Sequence, residues 1–209
     1  MIYKMPNSSI KLDIKQNQPP ENSVLYRYIT IDKFIDFLIN NRIPLVRLSE
    51  FEDKLEGVSL FHHLINYTSH KIAENANDWS AALAKAFAFN FHLPKGRSIK
   101  NQSEIIQNTN YASCWYINNY ESVAMWQLYS KPDSIAIRIP YKILSNELLS
   151  HNFELTSDNI VKIKLGSIDY FRFNDIDELM NIAYKIDSIG FIKDLSFKHE
   201  NEFRIIIET

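Results

Sequence analysis

Two periodicities share this chain, and the order in which they occur decides what it can fold into. From Glu202 to Glu208 the apolar side chains fall on every second residue, with Phe203, Ile205 and Ile207 to one side and Glu202 and Arg204 to the other. That is the period of a β-strand. From Ile31 to Leu38 they fall at i, i+3, i+4 and i+7 (Ile31, Phe34, Ile35, Leu38), one face of an α-helix. Stretches of the two kinds follow one another without strict strand–helix alternation. An α+β fold is therefore expected, a mixed or antiparallel sheet with flanking helices, rather than a doubly wound one.

Strands are expected over 24–29, 45–48, 111–116, 134–139, 160–165 and 202–208. Helices are expected from Thr30, over 59–90, 121–130 and 141–149, and from Asn174 or Asp175 to about Ile186. Residues 97–110 are polar and read as a loop with a short helix. Residues 1–23, with Pro19-Pro20, read as a loose arm before a single domain over 24–209.

Among 209 residues, 45% are hydrophobic and 23% charged, which excludes a disordered chain and allows a sizeable core. A net charge of −2 excludes a global basic field for nucleic acid or anionic lipid. The single cysteine, Cys114, cannot form an internal disulfide. Together with an N-terminus that lacks a signal-like apolar run, this suggests a cytoplasmic protein away from the membrane. Only four glycines occur, in neither the P-loop nor the dinucleotide-fold pattern.

Four groups of residues can carry chemistry. Glu200, Glu202 and Arg204 recur every second residue and share one face if the segment is extended. A carboxylate so held can stabilise a developing cation or take a proton, while the bland reading is a solvated strand face. Arg27, between Tyr26 and Tyr28, can fork onto a phosphate or snorkel beside aromatic neighbours. Met125, Trp126 and Tyr129 lie three and four residues apart, as core or as an aromatic wall for a base or nicotinamide ring. In Ser113-Cys114-Trp115 the cysteine alternates away from the serine and reads as a buried thiol. His62, His63 and His70 lack ligand spacing, and no metal site is expected.

The order of these motifs resembles a large bacterial family known as a domain of unknown function. The likeness runs over roughly residues 24–207. It rests on Leu25-Tyr26-Arg27-Tyr28, Leu48-Ser49-Glu50-Phe51-Glu52-Asp53, Ser113, Met125-Trp126-Gln127-Leu128-Tyr129, Ile135 to Ile139, and Lys198 to Arg204. Two places depart from it. Glu52-Asp53-Lys54 stands where that family often has Asn-Asp-Pro, and a tryptophan near His199 is absent.

The chain is also similar to ADP-ribosyltransferases of the arginine–serine–glutamate type. These carry Arg on an early strand, Ser on a middle strand and Glu-x-Glu at the start of a late strand. The resemblance implies a fold of that kind and an NAD-consuming transferase, a bacterial toxin or phage-defence effector, with NAD as substrate. Glu202 would be catalytic and Glu200 would assist or select the acceptor. Arg27, Tyr26, Ser113, Trp126, Tyr129 and Arg204 would hold the nucleotide. The acceptor would be a protein or nucleic acid, and an antitoxin or defence partner would accompany the chain. The alternatives are a non-catalytic nucleotide- or protein-binding module, and a defence nuclease holding Mg²⁺ on Glu200, Glu202 and Glu208.

Overall fold

The computed structural model describes residues 11–14, 17–40, 43–53, 55–58, 99–150, 162–173, 175 and 190–209. The helices expected over 59–90 and from 174 or 175 to 186, with His62, His63 and His70, lie outside these residues.

Seven strands form the main sheet: β1 (Lys11–Ile14), β2 (Val24–Thr30), β3 (Val46–Arg47), β4 (Asn110–Ile117), β5 (Ser134–Pro140), β6 (Lys162–Ser167) and β9 (Glu202–Glu208). Their order is β1-β6-β9-β4-β2-β5, with β3 also paired to β4. Only β1 and β6 pair in parallel; the other pairs are antiparallel. A separate parallel pair joins β7 (Asp169–Phe171) to β8 (Ile192–Asp194). The helices are α1 (Ile31–Asn40), α2 (Ile99–Thr109), α3 (Val123–Tyr129) and α4 (Tyr141–Leu149). The chain is thus α+β around a largely antiparallel sheet.

Strand alternation divides the core into two layers. On one face Leu25, Trp115, Ile163, Leu165, Phe203 and Ile205 pack beneath Tyr141, Leu144 and Leu148 of α4. Each such fully buried side chain contributes about 1.5–3 kcal/mol, and Phe203→Ala would cost about 3–5 kcal/mol through the cavity it leaves. On the opposite face lie Ala112 and Ile206 with Leu48, Ile168 and Phe191, and, further along, Tyr26 and Tyr28 beneath Met125 of α3.

One edge of β4 is shared. Tyr116 and Ile117 pair with β2, whereas Tyr111 and Ala112 pair with β3. Among the described residues, Ser113, Cys114 and Trp115 therefore face a split between β2 and β3, with no strand partner on that side.

Local chemistry explains where the elements differ from expectation. The N-terminal arm is not loose over 11–14, where it adds β1 to the edge of β6. Past it, the Asn17 carbonyl accepts from the Ser167 N–H at 2.7 Å, and Gln18 Nε2 donates to the Leu165 carbonyl at 2.9 Å. The sequence does not announce this, because the β1–β6 pairing uses main-chain groups, which every residue carries. The polar stretch before β4 is a full helix, α2. Asn108, Thr109 and Asn110 bond back to carbonyls four residues earlier, and Gln107 Nε2 holds the Glu56 carbonyl at 2.7 Å. The strand expected over 160–165 lies at 162–167. Leu195–Glu200 is not extended but a 3₁₀ turn, started by the Asp194 carboxylate accepting from the Ser196 N–H at 3.0 Å. It ends at Asn201, whose φ of 35° is left-handed, a conformation asparagine tolerates better than most residues.

Candidate functional site

The start of β9 carries a buried ionic cluster. Arg204 is fully buried, and all five of its N–H donors are engaged. Nε donates to Glu202 Oε1 at 2.6 Å and one terminal nitrogen to Glu202 Oε2 at 2.9 Å. Both terminal nitrogens fork onto Glu56 at 2.7 Å, and the fifth bond goes to the Gly190 carbonyl at 2.8 Å. Lys193, from β8, meets Glu56 at 3.0 Å, Glu202 Oε2 at 3.3 Å and Glu200 in a short contact. The outer oxygen of Glu200 accepts from the hydroxyl of Tyr129 on α3, whose residue is half exposed. The Tyr170 hydroxyl accepts from the Glu202 N–H at 3.0 Å.

Three carboxylates thus face two cations in a largely buried cluster, with the half-exposed Tyr129 at its margin. Burial pushes the Glu202 carboxyl up, but Arg204 and Lys193 outweigh it and hold the group down at about 2. Burial opposes charge on Arg204 as well; Glu202 and Glu56 override it and raise its affinity for the proton. The Tyr129 hydroxyl is raised, first by burial and then by Glu200. Cys114 lies across from Arg204 on β4, and burial together with Glu202 pushes its thiol well up, so it is no ready nucleophile.

The sheet register sorts the residues singled out from the sequence. Glu202 is opposite Tyr116, which is opposite Tyr26, so these three share a face with Arg204. Trp126 packs edge-on against Tyr28 on that face, with ring centroids 5.0 Å apart, and donates to Glu121 at 2.8 Å. Tyr129 joins the cluster through Glu200, while Met125 is buried in the core cluster against which Trp126 also packs.

Arg27 and Ser113 lie on the other face. Arg27 is one residue out of step with Tyr26, and Ser113 is opposite Ile205. They do meet each other: Arg27 Nη1 donates to Ser113 Oγ at 2.5 Å and Nη2 to the Pro44 carbonyl at 2.6 Å. Trp115 Nε1 also donates to Ser113 Oγ, at 3.0 Å. The assignment of Arg27 and Ser113 to one nucleotide site with Glu202 is therefore corrected, because the sheet stands between them. The role of Arg204 is corrected too, since a guanidinium with no donor left cannot hold a pyrophosphate. The reading of Glu200 to Arg204 as a solvated strand face fails as well, since all three charged groups are buried.

Glu56, Lys193 and Tyr170 belong to the site but were missed. The glycines carried a signal. Gly57 follows Glu56 at φ 71°, Gly190 gives Arg204 its carbonyl at φ 83°, and Gly166 is the cross-strand partner of Arg204. Three of the chain's four glycines thus mark this one site.

Among the described residues no group of three His, Cys, Asp or Glu side chains is arranged to hold a metal ion. Glu208, the third acid of the nuclease alternative, pairs with Lys164 at 2.8 Å at the far end of β9. A cleft of about 200 Å³ lined by Gln18, Glu21, Tyr141, Lys142 and Ser145 lies beside α4, away from the acid pair. We give it no part in the chemistry, because the ion pair it holds, Lys142 with Glu21 at 3.0 Å, is solvent-exposed and carries no desolvated charge. No helix among the described residues is long and apolar enough to cross a membrane. Comparison with protein-family models, curated proteins and solved structures finds no match.

Proposed function

We propose that the chain is an NAD-consuming, ADP-ribosyltransferase-like enzyme, acting in the cytoplasm as a bacterial toxin or defence effector, and that NAD lies on the acid face of the sheet. The observation that carries this reading is the register Glu202–Tyr116–Tyr26 across the neighbouring strands β9, β4 and β2, with an acid pair at the start of β9. The residues on that face suit the chemistry. Cleaving the nicotinamide–ribose bond develops an oxocarbenium-like cation, and a carboxylate fixed by Arg204 is preorganised to stabilise it. The contact from Lys193 to Glu202 Oε2, at 3.3 Å, is longer than either bond from Arg204 to that carboxylate. That oxygen is the one a ribose hydroxyl would take over. Tyr129, half exposed and bonded to the buried Glu200, stands at the rim, where an acceptor on a protein or nucleic acid would arrive. Arg204 is then a positioning residue, and Arg27 and Ser113 have no part in this step.

Nicotinamide release by the purified chain tests the reading. The wild type should turn over NAD, and Glu202→Gln should lower kcat by about 10²–10³. A folded sample that neither binds nor cleaves NAD overturns it.

One observation favours a second reading, a non-catalytic nucleotide-binding module. Both oxygens of Glu202 are already engaged by cations. In that case Glu202→Gln keeps NAD binding and the biological effect, while Trp126→Ala loses both.

A further inference from the structure

Arg27 is a partly buried guanidinium whose side-chain bonds, among the described residues, go to neutral acceptors and to no anion. A guanidinium carries five N–H groups. Two are used, on the Ser113 hydroxyl oxygen and the Pro44 carbonyl, both neutral acceptors. Ser113 Oγ already accepts twice, from Arg27 and Trp115, so its own proton is left to donate, and this side chain is fully buried. Three N–H groups and one O–H therefore converge without an acceptor among the described residues.

The setting is apolar. Leu25 and Ile29 flank Arg27 on its strand, Ile137 is opposite on β5, and the Trp115 ring centroid lies 5.6 Å from the guanidinium carbon. Burial pulls the proton affinity of the group down to about 10, and no carboxylate acts to restore it. A desolvated cation left in that state is costly unless an anion completes it. Access exists, because Arg27 is partly exposed and sits where β4 has no strand partner between β2 and β3.

We propose that Arg27 and Ser113 form a binding site for a small oxyanion, a phosphate or carboxylate group, in the split between β2 and β3 on the face opposite Glu202. The site is separate from the acid face and does not depend on NAD. Its ligand takes the remaining guanidinium donors as a fork and the Ser113 hydroxyl as a further donor.

Thermal unfolding of the full chain in inorganic phosphate, in acetate and in chloride at equal ionic strength is the test. At concentrations well above Kd, the bound oxyanion should raise the midpoint by about 2–4 °C over chloride. Ser113→Ala should weaken the rise and Arg27→Gln abolish it. A rise in phosphate alone assigns a phosphate group, and a rise in acetate alone a carboxylate. An equal midpoint in all three salts, or the same rise in folded Arg27→Gln, overturns the proposal. Should Arg27→Gln fail to fold, modification of wild-type Arg27 by phenylglyoxal, read by mass spectrometry, replaces it. The effective oxyanion should slow that modification at least about threefold, and an unchanged rate overturns the site.

Discussion

Arg204 and Arg27 sit on opposite faces of one sheet and face opposite physical problems. Arg204 is enclosed by two carboxylates and a carbonyl that use every donor it has. Arg27 lies among apolar neighbours with two neutral acceptors. The first is an internal strut whose charge is matched inside the protein. The second is a charge with no counter-ion among the described residues. Burial alone does not distinguish a structural arginine from a ligand-binding one; the count of satisfied donors does.

The sharpest way to break this contrast is to remove each guanidinium in turn. Arg204→Met strands Glu56 and Glu202 as buried, half-paired carboxylates and should cost about 3–5 kcal/mol in chemical denaturation. A loss below about 1 kcal/mol would show that the cluster is not the strut described. Gly190→Ala should cost roughly 2 kcal/mol, because a Cβ there meets Ile206 Cδ1 at 2.5 Å and the φ of 83° disfavours a side chain. Arg204 would then lose part of its carbonyl partner as well.

Acid should act on the same strut. The folded Glu202 carboxyl lies at about 2 against an ordinary 4.5, so its contribution is complete above about pH 4.5 and is lost as the pH falls towards 2. Denaturation midpoints of wild type and Glu202→Gln should converge over that range; parallel curves would remove Glu202 as the cause. Tyr129→Phe, which deletes one bond at the half-exposed rim, should cost about 1 kcal/mol. The smallest effect belongs to Arg27→Met. In the absence of oxyanion it should change stability by less than about 1 kcal/mol, since relief of an unpaired charge offsets two lost hydrogen bonds. A loss near that of Arg204→Met would erase the distinction between the two arginines.

Much of the scaffold was legible because it depends on local period. The alternation at 202–208 placed Glu202 and Arg204 opposite Phe203 and Ile205, and α4 spans the stretch its pattern marked. What was not legible is relative phase. Whether Arg27 or Tyr26 shares a face with Glu202 depends on a one-residue register between strands far apart in sequence, and a slip of one exchanges every side chain. The cluster partners were hidden for a related reason. Glu56 precedes Arg204 by 148 residues, and Lys193 sits in a three-residue strand with no periodicity to read. The scarcity of glycine was the clue within reach. In a chain that spends so few, three beside one arginine mark a place where backbone must come close or turn left-handed.

The order of strands also has a consequence in time. β9 lies between β6 and β4, although both are made well before it during synthesis. Until residues 202–208 emerge, the inner edge of each lacks its neighbour, and Glu56 waits without Arg204. The growing polypeptide therefore carries bare, pairing-competent edges on the ribosome, and it is there, rather than in the finished protein, that chaperone capture or misassembly has its opening.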